Sequence, residues 1–359
     1  MKSHHVRVLE ALMVVISLVA SVVLSEILLR MLVELPLPRL HPQVRYDPHP
    51  VRRFTIRTNQ EAYTYNKRVE IDRKGFRTNG GLASSEARVR IFALGDSFTF
   101  GLGVADHETW PAQLESLLNA QLGGGVQVIN GGVISYGVFQ ELDFFRERGL
   151  LTRPNIVVHG LYWNDYMTNH PPRPNDLPVL TAAGYFTWED TDATDSLFQR
   201  GKEWLKSHSA LVFTVVNALR RIREGHESGL AGYEAEYHHL IDGTIPQKKW
   251  KVIEDFYKEL KRIGEEEGFV LYVVIFPVVD IVSVPDPANH AYPRSMREML
   301  DRLSIPYLDC FTLWNTAGLG REQFLPNNRH LNASGYKVVA TALMQSLTTN
   351  RYTVALFRL

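Results

Sequence analysis

A serine, a histidine and a side-chain amide stand at separate places where turn-forming residues follow short apolar runs. Ser97 lies in Gly95-Asp96-Ser97, directly behind the apolar segment Arg88–Leu94, and is followed by Phe100-Gly101-Leu102-Gly103. A second apolar run ends in Asn130-Gly131-Gly132-Val133-Ile134-Ser135-Tyr136-Gly137, a turn able to present backbone N–H groups. A third ends in Tyr162-Trp163-Asn164-Asp165, and Pro326-Asn327-Asn328-Arg329-His330-Leu331-Asn332 precedes the last helical stretch. A serine, a histidine, an amide and free N–H groups on one rim make an acyl-transfer site. His330 would take the proton of Ser97, and the Asn164 amide with backbone N–H groups would hold the developing oxyanion. Each piece has a plainer reading taken singly. Ser97 could cap a turn, Asn130-Gly131 could be a loop, Asn164-Asp165 could be a turn signal, and His330 could be an exposed residue ahead of a helix. Their occurrence together, in this order, favours the site.

One rim requires a parallel sheet, and the elements supply it. Arg88–Leu94, Val126–Asn130, Asn155–Tyr162, Phe269–Phe276 and Ile305–Cys310 read as short buried strands. Between and after them, Thr109–Leu122, Val138–Leu150, Trp250–Glu267, Pro293–Leu303 and Asn332–Leu347 read as helices, most with an apolar stripe. Alternation of strand and helix implies right-handed crossovers and a parallel sheet. Ligands then bind at the carboxyl ends of the strands. The expected fold is a three-layer, flavodoxin-like α/β domain with a five-stranded parallel sheet. Residues 169–246 break the rhythm and read as an insertion or lid.

The chain of 359 residues carries 39 basic and 39 acidic side chains, so nothing suggests a nucleic-acid partner. Its one cysteine, Cys310, excludes an internal disulfide and a cysteine-based zinc site. The histidines, His238-His239 included, form no metal-ligand spacing, and no cofactor or metal is expected. Near the amino terminus, Ala11–Ser25 has no charged residue, and the apolar character continues to Val33 around Glu26 and Arg30. The run spans a bilayer if those two charges lie in the headgroup region. An uncleaved signal-anchor is the preferred reading, with a cleaved signal peptide or a buried soluble helix as alternatives. The expected organisation is a cytoplasmic 1–7, a transmembrane helix 8–34, a stalk with short β segments 35–87, the catalytic domain 88–348 and a tail 349–359.

The series GDSFTFG, NGGVISYG, WND and HLNASG resembles the SGNH/GDSL hydrolase family over Arg88 to about Leu347. SEILLR and VEIDRKGFR ahead of it are similar to membrane-anchored bacterial members. The resemblance implies a serine esterase acting through an acyl-enzyme, outside the cytoplasm, on a small, glycan or lipid ester. An O-acyltransferase, or a binding or assembly module that has lost activity, are the alternatives. It also implies roles. Ser97 is the nucleophile and first oxyanion donor, Ser135 (usually glycine in the family) the second donor, Asn164 the third, and His330 the base. The family normally places an aspartate two or three residues before the histidine. Here both positions are amides, Asn327 and Asn328, and Asn327 is expected to orient His330. Asp309 is a weaker candidate for that task.

Overall fold

In the computed structural model the described residues are 2–32, 42–80, 87–167, 179–180, 184–187, 201, 204–205, 208–224, 230–326 and 328–358. The chain opens with helix α1 (Lys2–Leu32). Its segment Glu10–Leu32 is long and apolar enough to cross a membrane, and none of that segment's apolar window is buried.

Two antiparallel hairpins follow: β1 (Tyr46–His49) with β2 (Arg53–Ile56), and β3 (Gln60–Thr64) with β4 (Lys67–Ile71). They do not stand apart from the rest. Tyr46, Phe54, Ile56, Val69 and Ile71 belong to the same hydrophobic core as the main sheet.

The main sheet consists of β5 (Val89–Gly95), β6 (Val126–Gly132), β7 (Ile156–Leu161), β10 (Val270–Ile275) and β11 (Tyr307–Asp309). Its spatial order is β11-β10-β7-β5-β6, and every pairing is parallel. Counted along the chain this is the order 2-1-3-4-5, the flavodoxin-like arrangement. β7 is buried at every position and β10 at all but one, which is why both are mostly apolar, with His159 of β7 the polar exception. Two short strands, β8 (Val179–Leu180) and β9 (Phe186–Thr187), form a separate antiparallel pair.

Helix α3 (Trp110–Leu122) packs with α10 (Ala333–Thr349), and α4 (Val138–Phe144) packs with α7 (Gln247–Glu267). The expected helix over 138–150 is shorter. α4 ends at Phe144, passes through a π turn at Phe145–Gly149 and closes in a 3-10 turn at Leu150–Thr152. The expected insertion 169–246 lies partly outside the described residues. Its described part includes β8, β9 and the helices α5 (Ala210–Glu224) and α6 (Leu230–Ile241), and α6 places Tyr237 and Leu240 in the core. The last strand covers only Tyr307–Asp309, because Asp309 leaves the strand to cap α9 (Cys310–Ala317) through the Phe311 N–H.

The strand order reverses between β5 and β7. The β5–α3 connection leaves on one side of that line and the β7 connection on the other, which opens a crevice at their carboxyl ends. The sequence brings Ser97 and Asn164 to this rim.

Candidate active site

Ser97 is the first residue of α2 (Ser97–Phe100), a single helical turn directly after β5. Asp96 caps that turn by accepting the Phe98 N–H at 2.8 Å. The turn sits tight against β6: a Cβ on Gly132 would collide with the backbone nitrogen of Phe100. The second glycine of the NGG run is therefore there to let the serine turn approach. Only 8% of Ser97 is exposed.

His330 comes from the loop before α10. That loop is pinned by a bridge between Phe324 and Leu331, by the Leu325 N–H donating to the His330 carbonyl at 2.8 Å, and by Asn332, which caps α10 through the Gly335 N–H. A side chain at position 335 would run into the Gln323 carbonyl, which accounts for the glycine in HLNASG. The His330 ring stacks on Phe98, centroids 4.7 Å apart, and Phe98 stacks on Tyr162 at 3.8 Å. The result is a distance of 2.8 Å between His330 Nε2 and Ser97 Oγ.

The other ring nitrogen meets an amide. Asn328 Oδ1 lies 2.6 Å from His330 Nδ1 and also accepts the His330 backbone N–H at 3.0 Å. Two donors converge on that atom, so it is the carbonyl oxygen and not the NH₂ that faces the ring. The NH₂ turns outward and donates to the Tyr65 hydroxyl at 2.5 Å. Nδ1 must then carry the ring proton, which leaves Nε2 as an acceptor for the serine O–H. The residue expected to do this, Asn327, lies outside the described residues. Asp309 is engaged elsewhere, paired with Arg297 at 2.6 Å.

Asp96 adds a feature that motif reading overlooked. It is fully buried, and its Oδ2 lies 3.2 Å from Ser97 Oγ, farther than His330 Nε2, the nearer claimant on the one hydroxyl proton. Burial pushes its pKa up to about 7, helped by the nearby Glu141 charge and opposed by the Phe98 N–H, the Ser97 hydroxyl and the Asn164 amide. Asn164 thus reaches the carboxylate next to Ser97, on the 3-10 turn Trp163–Met167 behind β7. Ser135 sits on the β6–α4 loop, exposed, with φ of +66°. Its backbone N–H has no acceptor among the described residues. That loop is tied to the serine turn, since the Val133 N–H donates to the Gly95 carbonyl at 3.0 Å.

His330 is partly exposed as a residue, but both ring nitrogens face protein. Desolvation pulls its pKa down to about 3. Deeper in, Glu141 accepts from His159 at 2.9 Å, and the other His159 nitrogen meets the Tyr257 hydroxyl at 2.9 Å. Asp165 is fully buried beside them, and burial, followed by the charges of Glu141 and Asp96, raises its pKa well above the carboxylate range. Among the described residues, Glu141, His159 and Asp165 form one cluster of metal-ligand types, and His49, Asp143 and Glu147 another. In the first, both His159 nitrogens are taken. In the second, Arg52 already supplies the cation, bonded to Asp143 and Glu147 at 2.6 and 2.7 Å.

A residue far upstream completes the site. The buried Arg77 donates to the carbonyls of Phe100, Gly101 and Val104 and pairs with Asp106 at 2.8 Å. It fixes the loop that follows the serine turn. Both Arg77 and Tyr65 went unrecognised in the sequence as site-building residues. Arg77 does stand inside VEIDRKGFR, the one signal that could have pointed to it.

Residues 93–338 match the sequence profile of the GDSL-like Lipase/Acylhydrolase family. The chain belongs to this family. That membership places it among ester and acyl hydrolases. No curated protein matches the sequence. Among solved structures the GDSL-like chain is similar to an alpha/beta hydrolase enzyme from the metagenome of Lake Arreo, with 13% identity, a TM-score of 0.43, and coverage of 72% of this chain and 95% of the other. It is similar to a variant of an acetyl xylan esterase from Geobacillus stearothermophilus, with 14% identity, a TM-score of 0.41, and coverage of 74% and 95%. A lipase/acylhydrolase from Enterococcus faecalis gives 12% identity, a TM-score of 0.42, and coverage of 72% and 95%.

Proposed function

We propose that the protein is a membrane-anchored serine esterase in which Ser97 attacks an ester carbonyl and forms an acyl-enzyme. The observation that carries this reading is the 2.8 Å contact between Ser97 Oγ and His330 Nε2, with Nδ1 occupied by Asn328. As Oγ bonds to the carbonyl carbon, its proton passes to Nε2. The alcohol then leaves with that proton. Water then bonds to the acyl carbon as one of its protons passes to Nε2, and that proton returns to Oγ as the Oγ–acyl bond breaks and the acid leaves. The backbone N–H groups of Ser97 and Ser135 and the Asn164 amide hold the oxyanion, each worth about 3–4 kcal/mol by analogy with other oxyanion donors. Residues 88–348 carry the catalytic groups, and the hairpin region before them braces the site through Tyr65 and Arg77. Residues 8–34 anchor it, with 1–7 cytoplasmic and the hydrolase outside.

Reaction with a fluorophosphonate tests this directly. The full chain is expected to form one covalent adduct, mapped by mass spectrometry to the peptide carrying Ser97. An unlabelled Ser97 in folded protein counts against the enzyme and favours a binding module that kept the fold.

The histidine sets a pH signature. A base works in its neutral form, and the burial of His330 keeps it neutral down to about 3, against an ordinary imidazole value of 6.5. His330 is therefore expected to contribute no acid limb to kcat/KM at 6.5, only one toward about 3, and a step near 7 that Asp96→Asn removes belongs to Asp96. Stability moves in the same window. The unfolded imidazole takes up a proton below 6.5 and the folded one does not until about 3, so fold stability is lost as pH falls between them. Rates should be read over short times, with circular dichroism confirming the folded state. An acid limb near 6.5 that persists in Asp96→Asn would refute the buried-base assignment.

A further inference from the structure

The carboxyl-terminal end of α1 holds a second helix by its start. Ser209 Oγ and the backbone N–H groups of Ala210 and Leu211 donate to the Glu26 carboxylate at 2.8, 2.9 and 2.9 Å. Arg30 bonds the same carboxylate at 2.7 Å and donates to the His208 carbonyl at 2.7 Å. Glu26 is thus the amino-terminal cap of α5, supplied from another helix. It is also the first charge after the uncharged run Ala11–Ser25. A carboxylate this well satisfied, at the end of an apolar span, belongs at the membrane–water boundary and not in hydrocarbon.

Helix α5 starts at that depth and has a face that the protein leaves open. Leu211, Val215 and Leu219 recur at four-residue spacing, which puts them on one stripe. Val215 is 46% exposed and Leu219 60%, and just upstream Trp204 is 59% and Leu205 47% exposed. The sequence adds Arg220, Arg221 and Arg223 toward the end of the helix. An apolar stripe, a nearby tryptophan and a set of arginines are the composition of a helix that lies in the bilayer interface. At 1.5 Å per residue its fifteen positions reach about 22 Å along the surface.

We infer that α5, with Trp204 and Leu205, is an interfacial helix whose open stripe rests between the headgroups and acyl chains of the bilayer that α1 crosses. Continuity with the exposed apolar surface of α1 identifies lipid as the occupant. The inference rests on α1 being a membrane anchor, as proposed above. The hydrolase domain is then held at two points, and two points fix its tilt where one helix would leave it free to swivel.

The test uses the full chain in vesicles of phosphatidylethanolamine and phosphatidylglycerol. Leu219→Cys, Val215→Cys and, as a control, Leu151→Cys are labelled with an environment-sensitive nitrobenzoxadiazole; the only native cysteine, Cys310, is buried. Leu151 is 80% exposed and lies after α4. Label at 219 and 215 is expected to emit to the blue of label at 151. It should also lose severalfold more intensity to lipid carrying a shallow doxyl group. Water-like emission at 219 and 215 in a chain that resists carbonate extraction overturns the inference and leaves the anchor standing. A blue shift without quenching by doxyl lipid means that protein, such as a second copy of the chain, covers the stripe, and also overturns it. Release of the chain by carbonate removes the anchor reading itself, and the inference with it.

Discussion

Ser97→Ala is expected to lower kcat on p-nitrophenyl acetate by about 10⁴-fold or more, with KM changed far less. The hydroxyl is the only atom removed, and its partners are His330 Nε2 and Asp96 Oδ2. The cap of α2 comes from Asp96 and the Phe98 N–H, so the turn survives the substitution. The residue left behind can bind ester and polarise its carbonyl but has no atom with which to form the acyl-enzyme. Initial-rate kinetics on folded protein decide the matter. Turnover within about tenfold of the parent would mean that water is activated without the serine, and the covalent route would have to be abandoned.

Asn328→Asp should work in the opposite direction, raising kcat by about 10- to 100-fold. In a serine protease, exchanging the triad aspartate for asparagine costs about 10⁴-fold, largely because the amide imposes the wrong histidine tautomer. Here that part of the loss is absent. The His330 backbone N–H and Nδ1–H both point at Oδ1, and the Tyr65 hydroxyl takes up the NH₂. What the amide lacks is charge. It cannot stabilise the imidazolium that forms as Ser97 gives up its proton. A carboxylate at 328 supplies that charge, and the Tyr65 hydroxyl can reverse its role and donate to it. The same charge raises the pKa of His330, so the acid limb of the kcat/KM profile should move up from its value near 3 toward neutrality. Faster turnover with an unmoved limb would point to altered packing. No change in either would show that Asn328 does not act on the base.

The sheet was legible because β5, β7 and β10 are almost wholly buried and stay rich in valine, isoleucine and leucine despite Arg90, His159 and Tyr272 within them. Ser97 and His330 were legible because the turn glycines around them are forced by close backbone approach, at Gly132 and Gly335. The contact of Asn328 with His330 was not. It depends on how the Leu325–His330 turn closes, with the Leu325 N–H on the His330 carbonyl and the Asn328 N–H on the Leu325 carbonyl. A one-residue difference in such a turn leaves no periodic trace. Tyr65 is 263 positions from the asparagine it touches, and Arg77 serves carbonyls 23 to 27 residues away. Contacts of that kind depend on chain topology, which spacing and hydropathy do not record. The end of α4 was misread for a local reason: Phe145–Gly149 keeps helical composition while its hydrogen bonds slip to the wider π turn.

Arg77 carries a consequence for how this hydrolase could be rearranged by recombination. The family signature begins at residue 93, yet three carbonyls in the loop after the serine are satisfied by a guanidinium from the hairpin region before it. A gene fusion joined at the signature's edge would transplant Ser97 and leave behind the group that fixes its loop. It would also lose Tyr65, the neighbour that receives the NH₂ of Asn328. The portable unit therefore starts no later than Pro42, whose carbonyl already accepts the Tyr63 N–H. Only nine residues, 33–41, lie between that point and the end of α1 at Leu32. Helix α1 and the catalytic region are therefore separable only within that short interval.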